Sequence, residues 1–216
     1  GGATGGATQC AYHGKELGMH QLRTAAMCGA ILALVSCAST PDPKLYKLPD
    51  LYSQTLTASD AELISLSELE MPAYARNLQI TTAISATELE EDDQHRWASP
   101  PTELFTSALA QHIEHAVEGV VLVRPLPAGI RSEFVVEVEF DALYRTRSGG
   151  AHTRGQFILI GPGKSNHTQR FKFDVMSNSS SYEDYALALN GALRLLAGEI
   201  SIGLERLSHS IEVDRG

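Results

Sequence analysis

Apolar positions are spaced differently in successive stretches of the chain, and each spacing predicts its own element. Ala25 to Val35 is an uninterrupted apolar run. Lys44-Leu45-Tyr46-Lys47-Leu48 alternates, as a short strand does. Between Glu62 and Glu70, Ile64 and Leu66 alternate with Ser65 and Ser67, which predicts a strand ended by Pro72. Leu78 to Ser85 predicts another, with Leu78, Ile80, Thr82 and Ile84 on one face. The acidic run Glu88 to Asp93 that follows reads as a solvated loop.

Helical spacing begins after Trp97. Ser99 suits the N-cap and Pro100 the first helical position. Leu104, Phe105, Ala108, Leu109, Ile113, Ala116 and Val117 then recur at helical intervals up to Gly119. Val120 to Val123 is apolar throughout and predicts a central strand covered on both faces. Phe134 to Tyr144 alternates over a long stretch, as a strand with one wet face. Arg147-Ser148-Gly149-Gly150 is a turn, and Gln156 to Ile160 and Arg170 to Val175 complete an antiparallel meander. After Ser179 to Ser181, a stripe of Tyr182, Tyr185, Leu189, Leu193, Leu196, Ile200, Gly203 and Leu207 predicts a helix of about 26 residues, roughly 39 Å long. That is longer than a small sheet is deep, so the far end either frays or is covered; the alternatives for Leu196 to Leu207 are another protomer, a partner protein or its own domain.

This order predicts an α/β or α+β fold. It is expected to be a single domain, residues 61–208, with a mixed sheet of about five to six strands and two main helices packed on it. Residues 1–18, with a repeated Gly-Gly-Ala-Thr, are expected to be a disordered upstream extension, 19–36 a signal peptide, 37–60 a tether and 209–216 a tail.

Composition narrows the function classes. Lys and Arg number 17 against 26 Asp and Glu. The part beyond residue 36 carries a net charge of about −10, which argues against nucleic acid and against a polybasic hold on anionic lipid. The three cysteines, Cys10, Cys28 and Cys37, form no Cys-x-x-Cys pair and supply no disulfide framework. Cys37 is different in its setting. Met19, His20 and Arg23 precede the apolar run, Ser36 precedes the cysteine, and Pro41 and Pro43 break any continuing helix. A run of about eleven residues fits a cleaved signal and falls short of the ~20 that cross a bilayer. Leu34-Val35-Ser36-Cys37 therefore reads as a lipobox, with Cys37 the lipidation site and the membrane reached through its acyl chains.

No pattern points to catalysis, a cofactor or a metal. His112 and His115 are three apart on a helix and His95 stands beside Asp92 and Asp93, yet neither grouping has a third ligand at a known spacing. There is no Gly-x-Ser-x-Gly and no Ser-x-x-Lys. Gly161-Pro162-Gly163-Lys164-Ser165 lacks phosphate-loop spacing and reads as a hairpin turn. Trp97 reads as a core anchor.

The lipobox, Tyr46-Lys47-Leu48, Pro72 and Tyr74 before Gln79-Ile80, Arg96-Trp97-Ala98 at a helix start and the long last helix occur in an order that resembles the ABC-type transport auxiliary lipoproteins, the PqiC-like family. The likeness covers nearly all of residues 19–207. Ala75 and Asn77 stand where the family usually has Leu and Arg, and Arg76 is the neighbouring cation. The resemblance implies a three-layer fold and a non-enzymatic, periplasm-facing outer-membrane lipoprotein. Its implied partners are an MCE-domain protein and an inner-membrane transporter that move lipids between the membranes, with a homo-oligomer possible. Tyr74, Arg76, Arg96 and Trp97 become candidate partner contacts or core anchors. The alternative is a lipoprotein of another envelope-assembly pathway, one that helps insert outer-membrane protein or lipopolysaccharide.

Overall fold

Phe134–Arg145 alternates apolar and charged residues and forms strand β6, on which the rest of the sheet is assembled. A computed structural model describes residues 41–50, 63–117, 120–126 and 128–215. Along the chain it contains β1 (Lys44–Tyr46), β2 (Leu63–Leu66), a 3-10 turn (Ala73–Arg76), β3 (Gln79–Ala83), β4 (Leu89–Trp97), α1 (Pro101–Val117), β5 (Val120–Val123), β6, β7 (Ala151–Ile160), β8 (Asn166–Val175) and α2 (Tyr182–Arg215). The lipobox with Cys37, the signal segment, the upstream extension and residues 51–60 of the tether lie outside the described residues.

Among the described residues the sheet is mixed and has eight strands. One edge of β6 pairs antiparallel with β7, which pairs antiparallel with β8. Its other edge is shared. The start of β6 runs parallel to β2, which carries β5, and its end meets β3, which carries β4 and then β1. Between these branches the chain after β2 stays in the ladder: Ser67 N–H donates to the Val136 carbonyl at 2.9 Å and Glu70 N–H to that of Val138 at 3.0 Å. The β6 carbonyls of Val136 and Val138 are satisfied in this way, and the Phe140 N–H donates to the Glu70 carbonyl at 2.8 Å, which matters because a buried orphan is costly.

Alternation sorts β6 between two environments. Phe134, Val136, Val138 and Phe140 are buried, while Glu137, Glu139 and Asp141 are exposed. A bulge between Phe140 and Ala142 shifts the register by one, so Leu143 and Arg145 continue the buried face. Both helices lie on that inner face. The predicted stripe on α2 is the covered one: Tyr185, Leu189, Leu193, Leu196, Ile200 and Leu207 are buried, joined by Leu204, each leucine or isoleucine contributing about 1.5–3 kcal/mol from removal of apolar surface. Gly203 lets α2 approach the sheet, because a Cβ there would meet Leu159 Cδ1 at 2.6 Å. Ser181 caps the helix, its Oγ accepting the Asp184 N–H at 3.0 Å.

The fold class is the one expected, with five differences. Both helices take one face of the sheet, leaving two layers where three were expected. Among the described residues the opposite face is crossed at β2, where Ser132 Oγ and Arg124 Nε reach the Ser65 hydroxyl at 2.9 and 3.3 Å. The acidic run is strand, not loop: β4 takes backbone pairs from β3 on one edge and β1 on the other, and those need no apolar side chains. Val120–Val123 is an edge strand, not a central one. Among the described residues it pairs with β2 alone, and the Glu114 carboxylate accepts the Val121 N–H at 3.2 Å. That carboxylate blunts the open edge. The far end of α2 packs within its own domain, so the surplus stripe does not exist, and the helix runs on to Arg215 with no tail of another kind before it. The sheet includes β1, upstream of residue 61, paired with β4.

Candidate functional site

Where β4 bulges, the register with β3 jumps between Gln79 and Ile80, so that Asp92 and His95 both turn towards the N-terminal end of α2. The Asp92 carboxylate gathers three donors. Tyr182 Oη donates to its Oδ2 at 2.5 Å, Gln94 N–H to its Oδ1 at 2.8 Å, and His95 Nδ1 lies 3.0 Å from Oδ2. The His95 and Tyr182 rings stack with centroids 3.8 Å apart, and Tyr46 of β1 stacks on His95 at 5.8 Å. On the other side of Tyr182, the Arg145 guanidinium lies 4.5 Å from the ring centroid, a cation–π arrangement. Arg145 is buried. Its Nη1 donates to Thr82 Oγ1 at 3.4 Å and its Nη2 to the Ser180 carbonyl.

The electrostatics follow from this geometry. Burial raises the Asp92 pKa, yet the hydrogen bonds from Tyr182, Gln94 and His95 outweigh it and hold the carboxyl below its usual range. Burial and the Asp92 charge push Tyr182 up to about 12, so its proton stays on. Beside these groups is a cavity of about 250 Å³ lined by Thr82, Glu90, Glu91, Asp92, Asp93 and Tyr182. A carboxylate already holding three donors and a tyrosine that keeps its proton make a poor general base. What the cluster does is fasten β1, β4, the end of β6 and the start of α2 to one another.

The four residues singled out from the sequence do not converge. Trp97 is buried, edge-on to Phe105 with centroids 5.1 Å apart and tilted against Tyr185 at 5.9 Å, and so is a core anchor. Tyr74 is half-buried in the 3-10 turn. Its hydroxyl accepts the Leu143 N–H at 3.4 Å and its carbonyl the Thr81 hydroxyl at 3.2 Å, filling the gap in the β6 ladder between β2 and β3. Arg96 donates from Nε to the Asp93 carbonyl at 3.0 Å. Arg76 is exposed and has no ion pair among the described residues. His112 faces Asn190 of α2 across 3.0 Å instead of pairing with exposed His115. Among the described residues no group of three His, Cys, Asp or Glu is placed to hold a metal. The sequence marks Tyr182 only as part of the α2 stripe and gives no signal for Arg145, because one lies at a helix start and the other at a strand end, far from Asp92 in sequence. Only His95 beside Asp92 carried a local signal.

The family model for the ABC-type transport auxiliary lipoprotein component matches residues 46–201. Among solved structures, an uncharacterized protein is similar with a TM-score of 0.65 at 15% identity, over 76% of this chain and 99% of its own. A Xanthomonas campestris protein of the DUF330 family is similar with a TM-score of 0.56 at 12% identity, over 80% of this chain and 98% of its own. At those identities the likeness is one of fold. No curated protein matches the chain in sequence.

Proposed function

Because the chain belongs to the ABC-type transport auxiliary lipoprotein family, we propose that it is the outer-membrane subunit of a lipid transport system, anchored by acyl chains on Cys37 and facing the periplasm. It works there without catalysing a reaction, beside an MCE-domain protein and an inner-membrane transporter that carry lipids between the membranes. The family match over residues 46–201 carries this reading, since it spans the sheet from the end of β1 and most of α2. The apolar run ending in Ser36-Cys37 supports the anchor. Seven residues lead from Cys37 to Lys44 at the start of β1, a reach of about 25 Å at most. Ala38 and Ser39 leave out the aspartate that would hold a lipoprotein at the inner membrane, which favours the outer one.

The test has two arms. Replacing Cys37 with Ala removes the thiol that takes the lipid, and the full chain should then leave the outer-membrane fraction while keeping its far-ultraviolet spectrum. One acyl chain alone binds marginally, so several are needed for stable attachment. Continued sedimentation of Cys37→Ala with outer membranes overturns the anchor. In the second arm the wild-type lipoprotein is used to capture its neighbours from solubilised envelopes. Recovery of an MCE-domain protein supports the transport assignment, and recovery of outer-membrane-protein or lipopolysaccharide assembly factors in its place overturns it.

A further inference from the structure

Among the described residues the sheet ends in three open strands, and they are not protected alike. β1 offers three residues and β5 four, the latter blunted by Glu114. β8 offers ten, with no Pro and no break in its register with β7. An edge of that length leaves a row of main-chain N–H and C=O groups without partners and is a template for another strand. The hairpin fixes which groups those are. Gly161 N–H donates to the Ser165 carbonyl at 2.9 Å, and alternation from that pair turns the main-chain groups of Phe171, Phe173 and Val175 towards β7 and those of Arg170, Lys172 and Asp174 outwards.

A second feature overhangs this edge. On the uncovered side of α2, Leu187, Leu195 and Ile202 are 44–50% exposed, with Gly191 and Gly198 between them. Glycine weakens a helix relative to alanine. A Cβ at Gly198 would meet nothing within 4 Å, so packing within one chain does not explain it. This stripe stands on the β8 flank of the helix: a Cβ at Gly191 would lie 3.6 Å from Val175 Cγ1, and Gln169 Nε2 donates to Glu199, next to Gly198, at 2.7 Å.

Strand and stripe share a centre. Leu187 and Ile202 are equally far along the helix from the Arg194–Leu195 bond, and so are Gly191 and Gly198. With Gly191 beside Val175 and Glu199 beside Gln169, the level of that bond on β8 falls between Lys172 and Phe173. A pattern that reads alike in both directions is what an isologous contact requires. A foreign strand would satisfy the edge and leave the symmetry of the stripe without a reason.

We propose that β8 pairs antiparallel with β8 of a second copy of this chain, about a two-fold axis perpendicular to the sheet beside Phe173. The two sheets join edge to edge and the two α2 helices lie side by side above the seam. Lys172 of each copy exchanges main-chain hydrogen bonds with the second copy's Asp174, Phe173 meets its counterpart on the axis, and Phe171 lies opposite the second copy's Val175. The Lys172 and Asp174 side chains are also opposed in sign across the seam, although each already has the other as a partner within its own chain. Because α2 packs on both β7 and β8, its copy lies about two strand spacings away, roughly 10 Å. Packed helices stand about 8–10 Å apart. Leu187 then faces the second copy's Ile202 and Gly191 its Gly198, with Leu195 near the axis. Farther out Glu183 comes opposite the second copy's Arg206 and Asp184 opposite its Glu205, one attraction against one repulsion, so the seam and the apolar stripe carry the contact.

The experiment is sedimentation of the full chain in density-matched detergent, with amide exchange followed by NMR. The wild type should be dimeric at about 100 μM, and Leu195→Glu and Lys172→Pro should each weaken association about ten-fold or more. Lys172→Pro removes an outward N–H at a place where an edge strand tolerates proline. In the wild type the Lys172 and Asp174 amides should exchange as slowly as those of Phe171 and Phe173. In Leu195→Glu the first pair should speed up while the second stays protected, which separates a lost interface from lost folding. A wild type that remains monomeric at about 100 μM overturns the proposal. So does a dimer that either variant leaves intact, or one in which the Lys172 and Asp174 amides exchange freely.

Discussion

The two faces of one sheet are built from alternate residues of the same strands, yet they obey different rules. On β6, Val136, Val138 and Phe140 face inwards and are at most 3% exposed, while their immediate neighbours Glu137, Glu139 and Asp141 are open to water. The inner face is fixed by packing. Phe157 and Leu159 of β7 meet α2 where Gly203 allows it, and a residue of another size has nowhere to go. The outer face has no such constraint and is free to carry charge in any pattern. Stability is therefore concentrated on one side.

The sharpest way to break this comparison is to place the same carboxylate on each side. Ile200, 0% exposed on α2, becomes Glu in one variant; Ile160, half-buried on the outer face of β7, becomes Glu in the other. Burying an unpaired charge costs several kcal/mol, much of what a domain of this size has in hand. Ile200→Glu should leave the chain unfolded or molten at 37 °C by circular dichroism, and Ile160→Glu should cost no more than about 1 kcal/mol. A native spectrum and melting temperature for Ile200→Glu would mean that the far end of α2 does not belong to the core.

Trp97 tests how far the inner core extends beyond β6, since it lies on β4 in the other branch of the sheet and touches both helices through Phe105 and Tyr185. Trp97→Ala should destabilise by about 3–5 kcal/mol, as other large aromatic truncations do. Chemical denaturation would read this as a lower midpoint with the slope unchanged. A loss under about 1 kcal/mol would make the β1–β4–β3 branch an appendage, not part of the core.

The inner face was also the legible one. Every residue of the predicted α2 stripe from Tyr185 to Leu207 is buried, and the alternation of Phe134 to Tyr144 gives the two faces of β6 correctly up to the bulge. Apolar periodicity records burial, so elements lacking one buried face were read poorly. β4 shows a nearly continuous acidic surface from Glu90 to Asp93, and its strand character rests on backbone pairing that leaves no mark in side-chain pattern. Val120–Val123 failed in the opposite sense, because an unbroken apolar run looks the same at a sheet edge as at its centre. The Asp92–His95–Tyr182–Arg145 cluster was invisible for a third reason. Its members come from β4, α2 and β6, and only the completed sheet brings them together.

The smallest effect concerns the seam between the two helices, where one polar pair stands on the apolar side. His112 of α1 is 4% exposed and faces the Asn190 side-chain oxygen of α2 at 3.0 Å. Burial disfavours the imidazolium and pushes the His112 pKa below its usual value; the Asn190 hydrogen bond opposes this, and the charges of Arg194 and His115 reinforce it. With the folded value below the unfolded one of about 6.5, the unfolded chain binds more protons in the interval between them. Stability is then fully present above about pH 6.5 and is lost as pH falls through the folded value, where the buried ring must charge. His112→Gln keeps a neutral donor for Asn190 and removes the titration. It should cost no more than about 1 kcal/mol at pH 8, the size of one hydrogen bond made less well. Below pH 6.5 it should lose stability more slowly than the wild type. Urea unfolding of the two proteins at about pH 8 and pH 5.5 measures the difference in slope. Parallel losses between those values would mean that His112 takes up its proton as readily in the folded chain as in the unfolded one, and that the helix seam is wetter than the rest of the inner face.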